Sequence, residues 1–66
     1  MKMGFIGCGN MATAMIQGIV KKGAASPGEV MATARSEATR KKIREELGIL
    51  LGENNSQAAA FADILF

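Results

Sequence analysis

The chain alternates between two spacings of apolar residues. "KMGFI", Lys2 to Ile6, is a short apolar run closed by glycine, the pattern of a strand buried on both faces. From Asn10 the period changes: Ala12, Met15, Ile16, Ile19 and Val20 recur at the spacing of one helix face. Lys21 and Lys22 complement the C-terminal end of that helix, and Gly23 supplies a left-handed cap. "AASPGE", Ala24 to Glu29, carries Ser-Pro-Gly turn chemistry and reads as a loop, followed by a second strand at "VMAT", Val30 to Thr33. Ser36 is the N-cap of a helix running to about Glu46, with Thr39, Ile43 and Leu47 stacked on one side. Arg40, Lys41, Lys42, Arg44 and Glu45 then face water, and Gly48 ends the helix. "ILL", Ile49 to Leu51, is a third strand, "GENN" a turn, and Asn55 to Phe61 a short helix. Asp63 precedes "ILF", the apolar start of a fourth strand.

The predicted order, β-α-β-α-β-α-β, is that of an α/β Rossmann-like half-domain: three layers, a parallel sheet with right-handed crossovers, cut at its fourth strand. Residues 1–66 form one partial domain without repeat, linker or low-complexity tract. A chain of 66 residues buries only about 60% of the surface its unfolded form exposes, so the core is thin. An apolar strand start at Ile64 to Phe66 would leave a sticky sheet edge, which favours an excerpt of a longer protein. The alternative is a free-standing nucleotide-binding or self-associating module without catalysis.

Composition narrows the setting. Hydrophobic residues at 48% against 21% charged exclude a disordered segment. Cys8 is the single cysteine and histidine is absent, so neither an intramolecular disulfide nor a zinc-type cluster forms, and a reducing, cytoplasmic location is expected. Met3 to Ile6 is too short for a signal peptide, and no run nears the roughly 20 apolar residues of a membrane span. The net charge of +2 is concentrated at "RKK", Arg40 to Lys42; without a recognised module or aromatics other than Phe, this is a solvated helix face and no nucleic-acid partner is expected.

Candidate chemistry lies at the first turn. Gly7, Gly9 and Ala12 spell G-x-G-x-x-A between strand and helix. In a dinucleotide site the first glycine permits the tight turn, the second admits the pyrophosphate to the backbone, and the small third residue lets helix pack on strand. The helix N-terminus adds unpaired N–H groups and partial positive charge. At the end of the second strand an NAD site carries an acid, whereas this chain has Ala34, Arg35 and Ser36. Arg35 can fork onto a 2′-phosphate, and Ser36 with its helix amides can add donors, so NADP(H) is preferred, with NAD(H) as the alternative. The plainer alternatives are a structural turn, a solvent-facing Arg35 and a Ser36 that only caps; Arg40 could swing toward the same phosphate but is read as part of the solvated face. Cys8 serves as a small residue between glycines, and the methionines fill core and turns rather than bind metal.

"MKMGFIGCGNMATAMIQGIVKKG" resembles the N-terminus of pyrroline-5-carboxylate reductases, "ARSEATRKKIREELGI" their second strand end and second helix, and "ENNSQAAAFADILF" the stretch into their fourth strand. "GNM", Gly9 to Met11, is the most specific piece. Cys8 stands where alanine is common in that family, a modest departure. "GCGNMA" weighs against the β-hydroxyacid dehydrogenases, which share the fold but open the helix differently. The resemblance implies hydride transfer from NAD(P)H to the C=N bond of 1-pyrroline-5-carboxylate, giving proline. It also implies that Asn55 lies against the adenosine ribose. A C-terminal domain outside this chain would supply the small-molecule substrate pocket and a homo-oligomer contact. No catalytic residue is assigned here; the cofactor-binding set is Gly7, Cys8, Gly9, Asn10, Met11, Ala12, Ala34, Arg35, Ser36 and Asn55.

Overall fold

The computed structural model describes residues Met1–Phe66 throughout. Its elements run β1 (Met3–Phe5), α1 (Asn10–Lys21), a 3-10 turn (Pro27–Glu29), β2 (Val30–Ala32), α2 (Glu37–Lys42), β3 (Leu50–Leu51), α3 (Asn55–Phe61) and β4 (Ile64–Leu65). The strands form one parallel sheet in the order β3-β2-β1-β4, with Met3 beside both Val30 and Ile64, and Met31 beside Leu50. The first two crossovers carry the sheet outward from β1, and the third returns to β1's other edge. This reversal makes β1 the switch point of the sheet. The expected α/β half-domain is therefore the one observed; β1 is shorter than its apolar run by one residue at each end, and β2, β3 and β4 by one residue at one end.

Alternation along the strands assigns the two faces. Phe5, Val30, Ala32 and Ala34 share a core with Ile16 of α1 and with Ile43 and Leu47. Phe5, Ile16, Val30 and Ile43 are the largest fully buried side chains, each contributing about 1.5–3 kcal/mol by leaving water. Gly4 points the other way, toward Ala58 and Ala62. A Cβ there would stand 2.8 Å from Ala62 Cβ and 3.0 Å from the Ala58 carbonyl oxygen, so α3 lies close against β1 because residue 4 has no side chain.

Two helical expectations change in detail. Met15, expected on the buried face of α1, is 42% exposed, and the buried positions are Ile16 and Thr13. Thr13 can occupy the buried face because its hydroxyl donates to the Gly9 carbonyl (2.9 Å). The second helix does not run on in α form to Glu46: after Lys42 it widens into a π-helical turn, Ile43–Leu47. The Gly48 N–H reaches back to the Ile43 carbonyl at 3.1 Å, and Gly48, at φ 67°, ends the turn. No helix is long and apolar enough to cross a membrane.

The edge strand β4 is held beside β1 by a reciprocal contact. The Lys2 N–H donates to Asp63 Oδ2 (2.9 Å), while the Asp63 N–H donates to the Lys2 carbonyl (2.8 Å). Phe66 stacks on Phe5 with ring centroids 4.9 Å apart.

At the same amino end of the strands as Lys2 and Asp63, the Ser26 backbone N–H, the Met1 ammonium and the Ser26 hydroxyl all donate to the Glu29 carboxylate. These contacts, the Ser26 backbone bond foremost, hold its pKa at about 2, down from 4.5.

Gly4→Ala is expected to destabilise the fold by about 1–3 kcal/mol through overpacking. Gly18→Ala, inside α1 with open space around the new Cβ, should stabilise it by about 0.5–1 kcal/mol; urea denaturation reads both signs. Because the folded state depresses the Glu29 pKa, its stabilising effect is full above 4.5 and disappears as pH falls toward 2. Between about pH 6 and about pH 3, the urea midpoint should therefore fall further for the wild-type chain than for Glu29→Gln.

Candidate functional site

The site is built at the carboxyl end of β1, where ligands gather in open parallel sheets. The chain must leave β1 after Phe5 and enter α1 at Asn10, and it does so with Gly7 at φ 76°. That conformation costs a residue with a Cβ about 1–2 kcal/mol. The turn is tied to the residue that follows β2. The Gly7 N–H donates to Thr33 Oγ1 (3.1 Å), the Cys8 N–H to the Thr33 carbonyl (2.7 Å), and the Thr33 N–H to the Phe5 carbonyl (3.0 Å).

With those amides engaged, the N–H groups of Asn10, Met11 and Ala12 remain as the open end of α1. Gly9 is the N-cap and offers no side chain to them, and the first turn contains no acid. A Cβ on Gly9 would meet nothing within 4 Å, so the space above the helix end is open to an incoming group. Uncapped amides, the positive end of the helix dipole and a clear approach suit a phosphate. The residues present therefore fit the diphosphate of a dinucleotide.

Two clefts meet at Ile6 and Gly7. The first, about 510 Å³, is lined on the β2 side by Thr33, Ala34, Arg35 and Arg40, and on the α3 side by Glu53, Asn54 and Asn55. The second, about 380 Å³, runs from Gly9, Asn10, Met11 and Ala12 to Phe66, with Met15 at its edge. Of the residues selected from sequence, Gly7 borders both clefts, Ala34, Arg35 and Asn55 line the first, and Gly9 to Ala12 line the second.

Cys8 and Ser36 line neither cleft. Cys8 is buried with its Sγ 3.5 Å from Thr13 Oγ1, so its side chain fills the space under the turn. Ser36 caps α2, its Oγ accepting the Thr39 N–H at 3.2 Å and donating to Thr39 Oγ1 at 2.8 Å.

Arg40 corrects an expectation. Instead of facing water with Lys41 and Arg44, it is half-buried, as Lys42 is, and it lines the first cleft, its Nε–H donating to the Ala34 carbonyl at 2.9 Å. Long helical side chains lean toward the N-terminus of their helix, which carries this one back over the end of β2. Neither Arg35 nor Arg40 has a carboxylate partner, whereas Arg44 pairs with Glu37 and Lys41 with Glu45. Thr33, Glu53 and Asn54 also escaped the sequence reading. The signal for Thr33 was its place at the carboxyl end of a strand beside the switch point. Asn54 caps α3 by accepting the Gln57 N–H (2.8 Å), and Gln57 Oε1 accepts the Glu53 N–H (2.7 Å), so the loop bordering the cleft is tied to the first turn of α3.

A parallel sheet whose central strand turns through glycine onto a bare helix N-terminus defines a Rossmann-like half-domain of the dinucleotide-binding class. The chain belongs to the NADP oxidoreductase coenzyme F420-dependent family, whose sequence profile matches residues 2–66. It is 35% identical over 65 residues to a pyrroline-5-carboxylate reductase of Escherichia coli K12, covering 98% of this chain and 24% of that protein. A reductase of the same name from Vibrio alginolyticus is 41% identical over 64 residues, covering 97% of this chain and 23% of that protein. The structure of a pyrroline-5-carboxylate reductase from Coxiella burnetii superposes with a TM-score of 0.88 at 31% identity, over 97% of this chain and 23% of that one. The chain thus resembles the N-terminal portion of those reductases and spans about a quarter of their length.

The two glycines of the turn should separate on substitution. Gly7→Ala is expected to cost about 1–2 kcal/mol of folding stability although the added methyl meets no atom. Gly9→Ser, at an extended φ of −102°, should change stability by only a few tenths of a kcal/mol; urea titrations of the two variants decide.

Proposed function

We propose that this chain is the cofactor-binding N-terminal part of a pyrroline-5-carboxylate reductase, which reduces 1-pyrroline-5-carboxylate to proline with NADP(H). The observation that carries the reading is the first cleft. It joins the glycine turn to two guanidinium groups without carboxylate partners, and the positions after β2, Ala34, Arg35 and Ser36, contain no acid. An acid there would repel a 2′-phosphate and favour the ribose hydroxyls of NAD. Arg35 is exposed and free to fork onto such a phosphate, and Arg40 stands behind it.

In this reading the α1 amides of Asn10, Met11 and Ala12 hold the diphosphate, Gly9 leaves it room to approach, Gly7 lets the chain turn beneath it, and Asn55 borders the adenosine ribose. Cys8 contributes backbone and packing, and Ser36 acts by holding the end of α2 beside Arg35. Bound nicotinamide cofactor supplies the hydride for the imine carbon of the substrate. This chain's own residues bind and orient that cofactor; none is assigned a part in the chemical step. The small-molecule substrate pocket and a homo-oligomer contact belong, on this proposal, to the remainder of the parent protein.

Titration with NADPH and NADH, followed by nicotinamide fluorescence, tests the proposal. The wild-type chain should bind NADPH at least about tenfold more tightly than NADH, and Arg35→Ala should bring that ratio close to one. Gly9→Ser should weaken both cofactors by about tenfold or more, because its hydroxyl caps the amides meant for the diphosphate. An affinity ratio that survives Arg35→Ala removes the 2′-phosphate role of that residue.

A further inference from the structure

Thr33 is 5% exposed and its hydroxyl has polar neighbours in two directions. On one side the Gly7 N–H lies 3.1 Å from its Oγ1; an amide N–H can only donate, so the hydroxyl oxygen accepts there. Its own hydrogen must then go elsewhere, and the other polar neighbour is the Asn55 side-chain amide, 2.9 Å away. A buried hydroxyl hydrogen left without an acceptor is costly, so the atom facing Thr33 is the carbonyl oxygen, Oδ1. The Asn55 NH2 group is therefore turned away from Thr33, has no partner within the protein, and belongs to a side chain that lines the first cleft.

We infer that Thr33 is a positioning residue: one hydroxyl ties down the glycine turn and, by donating to Asn55 Oδ1, presents the Asn55 Nδ2 hydrogens as donors to the ribose oxygens of a nucleotide in the cleft. The inference rests on the reading of that cleft as the adenosine side of an NADP(H) site. It assigns to Thr33 a role that touches no ligand, exerted through two elements distant in sequence, the turn at Gly7 and the start of α3.

The test is a double-mutant cycle on the full chain with NADPH as the probe. Thr33→Val, which keeps the shape and removes the hydroxyl, and Asn55→Ala should each weaken NADPH by about tenfold, and the double variant should be no weaker than the worse single one. Thr33→Ser should recover affinity to within about twofold of wild type, and its Gly7 amide should exchange with solvent as slowly as in wild type. Losses that multiply in the double variant, or a serine variant as weak as valine, overturn the positioning role while leaving the cofactor reading intact. A wild-type chain that does not bind NADPH removes the cofactor reading and the inference with it. Should Thr33→Val fail to fold, Thr33→Ser and Asn55→Ala decide: serine near wild type with alanine weak supports the role, and equal losses overturn it.

Discussion

Everything at the carboxyl end of this sheet hangs on the way Thr33 closes the turn after β1. A chain that leaves a central strand and enters a helix within a few residues exposes backbone amides that cannot join the sheet ladder. Here those of Gly7 and Cys8 are both received by Thr33, one by its hydroxyl and one by its carbonyl, while the Thr33 N–H extends the ladder to Phe5. Satisfying these groups internally has a selective effect. The amides nearest the sheet are fixed, and those at the start of α1 are left pointing outward. The same bonds that make the turn rigid thereby decide which donors remain for a ligand.

The reach of Thr33 to Asn55 depends in turn on how closely α3 approaches the sheet. One face of the sheet is built thickly, with Phe5, Val30 and Ala32 against Ile16, Ile43 and Leu47. The other is thin, with Gly4 against the small side chains of Ala58 and Ala62. Because β1 offers no side chain there, α3 settles within direct contact of the backbone, and its first residue, Asn55, comes within 2.9 Å of a hydroxyl on the strand end. A larger residue at position 4 would push α3 outward and open that bond. Packing in the middle of the sheet and geometry at its ligand-facing end are therefore one constraint.

Local signals were enough to read most of this architecture. Gly7, Gly23 and Gly48 all take positive φ, and Ser36 caps the helix expected of it. The span of α3, Asn55 to Phe61, is as its sequence predicts. What stayed hidden was non-local. Arg40 lies in a basic run that reads as solvated, and only the proximity of the Ala34 carbonyl draws it into the cleft wall. Thr33 reads as the last residue of an apolar strand, since its partners at Gly7 and Asn55 are far away in sequence. The widening of the second helix at Ile43 has no local marker, because a π turn replaces one set of backbone bonds with another without requiring a particular residue type.

The charges follow the same division between what the fold uses and what it leaves free. Arg44 and Lys41 pair with Glu37 and Glu45 on the outer surface of the second helix, where each such pair contributes about 0–1 kcal/mol. Arg35 and Arg40 remain without acids at the mouth of the first cleft, with Glu53 across it. Arg40 differs from a free surface arginine because its Nε is already committed to the Ala34 carbonyl, which restricts the guanidinium plane before anything binds. A phosphate entering the cleft would thus find one cation held in place and one, Arg35, able to close upon it. On the proposed reading the fixed group would set direction and the exposed one adapt, so anion recognition would require ordering of little more than a single side chain.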